Sequence, residues 1–293
     1  MKQLLKFGCG PITYNENYIC AGANKIGIIN PETDEVCATL TGIKNITSLS
    51  MDKKYVYAKS TTGIYGIFDS ESNSLIHKGS CRGRNDTSHD GHFFCIDDGV
   101  ILDVLNLKDE NMYVVKYNFY KNNYEKLYLT NHMFTCFNRI YDKTKRRAYL
   151  LCKEKTIIKK PNVYCKFFVI DVDNLSIEEE LDLTFKDGFS PLKLVNPNLI
   201  LISSMELQNI HTGEPSSFGF SDYDNNQKNL YILEAKILGD YLILVSCDII
   251  LVFNINQCKL INKYNCKNGV NAILIDTKLY ISTWNGLFLT DTQ

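Results

Sequence analysis

Seven times along this chain a polar turn opens into a short apolar strand. The turns are "NENYI" (Asn15–Ile19), "DKKYV" (Asp52–Val56), "IDDGVI" (Ile96–Ile101), "DKTKRRAYL" (Asp142–Leu150), "NPNLI" (Asn196–Ile200), "GDYLI" (Gly239–Ile243) and "DTKLY" (Asp276–Tyr280). A second strand follows each: "IGIIN", "YGIFD", "YVVKYN", "FFVID", "LQNIH", "ILVFN" and "LFLTD". Six of these run on into another polar turn and a further strand; the seventh meets the end of the sequence. No apolar i, i+3, i+4, i+7 pattern lasts long enough for a helix, and β-branched and aromatic residues fill the short runs.

Spread over 293 residues, seven units average about 42 residues, the length of a four-stranded propeller blade. The spacing therefore predicts an all-β chain, a single domain over 1–293 built as a seven-bladed β-propeller of four-stranded antiparallel blades. With strands named a to d from the hub outward, the blades are expected at about 11–40, 46–78, 91–129, 134–183, 190–220, 230–265 and 270–290. The last has only strands a, b and c. The unassigned run "KQLLKF", Lys2–Phe7, is strand-like and is expected to supply its strand d. An uncovered edge strand is an aggregation hazard, and a closed ring leaves only short protected edges.

This pattern resembles the seven-bladed WD40-like superfamily in blade number, period, closure and the Asp or Asn that ends strand c. The letters depart from it. No Trp-Asp pair ends a strand c, and the lone Trp284 follows a strand b. Gly91-His92 is the one Gly-His that introduces a strand a, so the His–Asp network that ties blades in that family is not expected here.

The chain carries 32 basic and 33 acidic residues, a balance that argues against a nucleic-acid footprint and a polybasic membrane anchor. The eleven cysteines are odd in number, contain no C-x-x-C pair and sit largely in strand-like runs, where a thiol packs as a small hydrophobe. "MKQLLKFGCGPIT" lacks the apolar core of a signal peptide, and no run is long enough to span a membrane. The expectation is a cytoplasmic protein.

Chemical motifs are sparse. In "SHDGH", His89, Asp90 and His92 are candidate metal ligands without an identifiable third partner, and the ordinary reading is a solvated turn. "SDYDNNQKN" approaches a calcium loop at Asp222, Asp224 and Asn226 but has Leu233 where the final glutamate belongs. "GCGPIT" echoes a dinucleotide fingerprint, yet Pro11 intrudes and no helix follows. No nucleophile elbow, Walker loop or HExxH occurs. The sequence thus predicts no cofactor and no catalytic residues.

The long connections fall on one face, that of the d–a and b–c loops, and long loops on a rigid scaffold are where binding residues concentrate. Arg82, Arg84, Phe185, Phe189, Tyr223 and Trp284 have the composition of a protein-binding patch. The opposite face is polar apart from a basic knot, Lys143, Lys145, Arg146 and Arg147, expected to be solvated. The leading reading is a non-catalytic module that binds a protein partner. A propeller enzyme or small-ligand receptor, and a structural subunit of a larger assembly, are the alternatives.

Overall fold

A computed structural model describes residues 1–80, 93–107, 109–155, 162–186, 192–203, 206–215 and 230–292. It contains strands and turns and, among the described residues, no helix. The chain opens with β1 (Lys2–Leu5). Blade one is β2 (Cys9–Tyr14), β3 (Ile19–Ala23), β4 (Ile26–Asn30) and β5 (Glu35–Leu40). Blade two is β6 (Ile46–Met51), β7 (Tyr55–Ser60), β8 (Ile64–Asp69) and β9 (Ser74–Ser80). Blade three is β10 (Phe94–Asp97), β11 (Val100–Asn106), β12 (Met112–Asn118) and β13 (Asn123–Thr130). Blade four is β14 (Phe134–Asp142), β15 (Arg147–Glu154), β16 (Asn162–Asp171) and β17 (Ser176–Lys186).

Blade five shows β18 (Lys193–Asn196), β19 (Leu199–Ser203) and β20 (Glu206–Asn209), and a bridge from Gln208 to Pro215 continues its pairing. Blade six is β21 (Ile232–Leu238), β22 (Tyr241–Ser246), β23 (Ile249–Asn254) and β24 (Lys259–Asn265). Blade seven is β25 (Gly269–Ile275), β26 (Lys278–Thr283) and β27 (Gly286–Asp291), in the order β1-β27-β26-β25. The fold is the seven-bladed propeller expected from the repeat. The chain divides into two compact units, Met1–Gly10 with Asp187–Gln293, and Pro11–Lys186.

The expected closing strand is present but shorter than the sequence suggested. Lys2 pairs with Leu289, Gln3 with Phe288 and Leu5 with Leu287, and pairing ends at Leu5 rather than Phe7. Leu5 is buried, whereas Leu4 and Phe7 are half-buried. Gly286 lets the strands approach this closely. A Cβ there would lie 2.2 Å from the Leu5 carbonyl oxygen.

The recurring turn residues have a common cause. In the a–b turns, side-chain oxygens of Asn15, Asp52, Asp142 and Asn196 each accept the amides two and three residues on. The Asp or Asn that ends strand c does the same in the c–d turn at Asn30, Asp69, Asp171 and Asn209. These are Asx turns, in which a short polar side chain substitutes for a backbone carbonyl. The amide bonds to Ser72 and Asn174 hold Asp69 and Asp171 below the usual carboxylate range.

Four residues after the strand-c terminus of blades one to six the backbone turns left-handed, at Asp34, Asn73, Asn122, Leu175, Gly213 and Cys258. Leu175 and Cys258 are poorly suited to this conformation. Cys258 is exposed, with φ 50°, so Cys258→Asn is expected to raise stability by about 0.5–1 kcal/mol. An upward shift of the urea midpoint checks this; an unchanged or lower midpoint refutes it.

The core lies between the faces of successive blades. In the Pro11–Lys186 unit, Val56 and Phe68 pack toward blade one with Ile28 and Ile43. Tyr57, Tyr65 and Ile67 pack toward blade three with Ile101, Val115 and Tyr117. The other face of blade three meets blade four through Val114, Leu150 and Phe168. In the other unit Leu244 and Leu251 face blade five, and Ile243 and Val252 face blade seven. Strand alternation sends neighbouring residues to opposite faces, so each central strand is apolar on both.

Outer strands are wetter. His77 on β9 is half-buried, its ring 4.9 Å from that of Phe119. Its Nε2 is buried and has no hydrogen-bond partner among the described residues. Burial holds the imidazole below its usual range. The unfolded chain therefore takes up a proton that the folded chain resists, and stability falls as pH drops through the unfolded value of 6.5. Thermal melts at pH 7.5 and pH 5.5 are expected to differ less in His77→Leu than in the wild type; equal differences would remove this role.

Candidate interaction surface

Trp284 lies at the b–c tip of blade seven, in the turn between β26 and β27, where the sequence placed it. It is 58% exposed, yet its base is fixed. Its amide donates to the Asn268 carbonyl at 3.2 Å. In the same turn Thr283 Oγ1 accepts the Asn285 amide and donates to the Gly286 carbonyl, while Gln3 Nε2 donates to the Asn285 carbonyl.

The segment Gly8-Cys9-Gly10 lies under this turn. A Cβ at Gly10 would stand 3.3 Å from indole atoms Cη2 and Cζ3, and one at Gly8 would stand 3.0 Å from the Trp284 carbonyl oxygen. The Gly10 carbonyl accepts the buried Ser282 hydroxyl at 2.7 Å. Buried Cys9 sits between the glycines, its thiol pushed up to about 12 by desolvation. The glycines that resembled a nucleotide loop thus give the indole a side-chain-free floor. Lys6, Lys267 and Asn285, close in sequence to the residues that hold this turn, are exposed.

Phe185 is half-buried on β17, opposite Val163 of β16. It belongs to the other compact unit from Trp284. Arg82, Arg84, Phe189 and Tyr223 lie outside the described residues, as do His89, Asp90, His92, Asp222, Asp224 and Asn226. Among the described residues no three His, Cys, Asp or Glu side chains are placed to share a metal.

The basic knot on the opposite face is less solvated than expected. Arg146 bonds Asp97 at 2.9 Å and Asp173 at 2.7 Å and donates to the Ile96 carbonyl, which ties blade four to blade three. Those two carboxylates hold its guanidinium above the usual arginine range. Arg147 is engaged by Glu178 and Asp171. Only Lys143 and Lys145 of the four remain exposed.

Sequence reasoning missed a buried ionic network. Asp103 on β11 bonds Lys59 of β7 at 2.9 Å and Arg139 of β14 at 2.6 Å, with all three side chains essentially inaccessible. The Tyr65 hydroxyl of β8 donates to the same carboxylate, which also accepts the Val104 amide. One carboxylate thus joins blades two, three and four. In the other unit Lys236 of β21 donates to Asn271 Oδ1 of β25 at 2.6 Å. Desolvation holds this ammonium below the usual lysine range, against the opposing pull of Glu234. The charged partners in each group come from different blades, so no local spacing announces them.

The ten cysteines among the described residues are free thiols. No helix among the described residues is long and apolar enough to cross a membrane.

No family model and no curated protein matches the chain. Solved structures do resemble it in shape. The β-propeller domain of Cps50 (Swd1) from Myceliophteria thermophila is 11% identical, with a TM-score of 0.69 over 99% of this chain and 98% of that one. Hydrazine synthase of Kuenenia stuttgartiensis is 10% identical, with a TM-score of 0.68 over 100% and 97%. BamB of Moraxella catarrhalis is 11% identical, with a TM-score of 0.59 over 95% and 94%. At these identities the likeness carries the propeller architecture and no more.

Proposed function

We propose that this propeller is a non-catalytic interaction module that binds a protein partner, with Trp284 at the centre of the contact. The observation that carries this reading is an exposed indole that rests on Gly10, in a turn whose backbone is held by hydrogen bonds. Ordering is largely complete before the partner arrives, so little side-chain entropy is lost on docking. Tryptophan is among the residues most enriched at binding hot spots. Arg82, Arg84, Phe185, Phe189 and Tyr223 remain proposed contacts, and a cytoplasmic location remains the proposed setting. The propellers of Swd1 and BamB, as shapes, are compatible with this role.

Quantitative affinity capture from the source cells tests the idea. Trp284→Ala is expected to weaken the main partner by at least about thirtyfold, the effect of a hot-spot side chain. Its melting temperature should match the wild type. Gly10→Val, which displaces the indole without removing it, is expected to act in the same direction. Undiminished capture by both variants would end the assignment.

A further inference from the structure

Outer strands are where a propeller blade can still pair, and folded proteins blunt such edges with bulges, charges or short length. The c–d hairpins of blades one, two, four and six each carry an irregularity beside the c–d turn, between Ile28 and Ile29, Ile67 and Phe68, Val169 and Ile170, and Val252 and Phe253. Blade seven has the four-residue β1. Blade three differs. From Asn123 to Tyr128 its outer strand β13 pairs with β12 without interruption, and the irregularity is displaced to the far end, between Met112 and Tyr113. Strand β17 also runs on past its bulge, but it carries Glu179, Glu180 and Asp182. On β13 the charged residues are one acid and one base, Glu125 and Lys126.

The side chains of β13 sort by face. Tyr124, Lys126 and Tyr128 pair with Tyr117, Val115 and Tyr113, on the side turned toward blade two. Tyr124 is 42% and Tyr128 51% exposed. Lys126 Nζ lies 4.7 Å from the Tyr113 ring centroid, and the Tyr113 and Tyr128 rings meet edge to face at 5.7 Å. Glu125 and half-buried Leu127 point to the other side, where Leu127 packs on the core shared with blade four. No turn, loop or side-chain hydrogen bond of the described residues reaches the backbone of Asn123–Tyr128 from outside the hairpin. Among the described residues the outward amides and carbonyls of this run meet no partner and form an open template.

A second copy of the chain is a poor occupant. Symmetric antiparallel pairing centred on Glu125 or on Lys126 sets like charges directly opposite, which is unfavourable. Centring on Leu127 runs into the irregular stretch at Leu129. We propose that β13 takes up a fifth antiparallel strand from another protein: an extended segment with an acid opposite Lys126, a base opposite Glu125, and aromatic or β-branched residues opposite Tyr124 and Tyr128. Main-chain bonds would supply affinity and alternate side chains the selectivity, as in other strand additions. This surface is separate from the Trp284 turn and does not depend on it.

The test uses the full chain and a labelled synthetic peptide with the core Tyr-Val-Glu-Lys-Val, followed by fluorescence anisotropy. Saturable binding is expected, about tenfold or more tighter than for the charge-swapped core Tyr-Val-Lys-Glu-Val. The double variant E125K/K126E alters only exposed side chains and is expected to reverse that preference. Trp284→Ala should leave it intact, which separates this proposal from the previous one. Absence of binding, equal binding of both peptides, or an unreversed preference in the variant overturns it. So does sedimentation showing that the wild type dimerises and that E125K/K126E abolishes the dimer.

Discussion

Removing residues 1–5 is expected to leave a chain that unfolds at much lower urea than the intact protein, or that aggregates on isolation. The deletion strips Leu5 from the core, worth about 1.5–3 kcal/mol. It also takes away the backbone ladder of β1, at roughly 0.5–1.5 kcal/mol net for each hydrogen bond. Leu287 and Leu289, buried beneath that strand, become accessible on a newly bare β27. The combined loss is several kcal/mol, against a usual total of about 5–15 kcal/mol. A milder perturbation should point the same way. Gly286→Val puts side-chain atoms where the Leu5 carbonyl sits and is expected to loosen β1 without deleting it. Protection of the β27 amides in hydrogen exchange would fall in both variants. A truncated chain that melts like the full one would show that β1 contributes nothing to stability.

Replacing Asp103 by alanine is the single substitution expected to cost most in the Pro11–Lys186 unit. It leaves an ammonium and a guanidinium in the core without the carboxylate that faces both. Breaking a buried ionic group from one side typically costs about 3–5 kcal/mol, because the remaining charge keeps its desolvation penalty. The converse expectation is equally specific. A combined Lys59→Met, Tyr65→Phe, Asp103→Leu and Arg139→Met variant removes the polar side chains of the network and should recover most of what Asp103→Ala loses. Denaturant midpoints for the three proteins decide the matter. Asp103→Ala within about 1 kcal/mol of the wild type, a surface-like effect, would mean the network is not under the strain of burial.

Much of the architecture was legible because it is written in local chemistry. Asn30, Asp69 and Asp171 end their strands because a side-chain oxygen must catch the amides of the turn, and short apolar runs between such turns leave few options besides strands. Blade boundaries followed from those markers. The exact end of the closing strand did not, because Lys6 and Phe7 continue the apolar-polar alternation past the point where the backbone turns toward blade one. Trp284 was legible as a tip residue, but its support was not. Gly8 and Gly10 are close to it only through the pairing of the first strand with the last hairpin, some 275 residues away in sequence. Asp103, Lys59 and Arg139 stayed hidden for a similar reason. A charged residue inside a strand reads as solvent-facing until its neighbours from other blades are known. The ordinary outer edge of β13 was invisible too, since a missing bulge leaves no letter behind.

The pairing of β1 with β27 sets a timetable for synthesis. Strand β1 has no partner until the β26–β27 hairpin is made, about 15–60 s later at ordinary elongation rates. Through that interval Leu5 and its neighbours are a loose apolar segment, available to any passing holdase or to a nascent segment of an adjacent polysome chain. Closure of blade seven therefore waits on two segments far apart in sequence, whereas the other blades draw their described strands from neighbouring stretches.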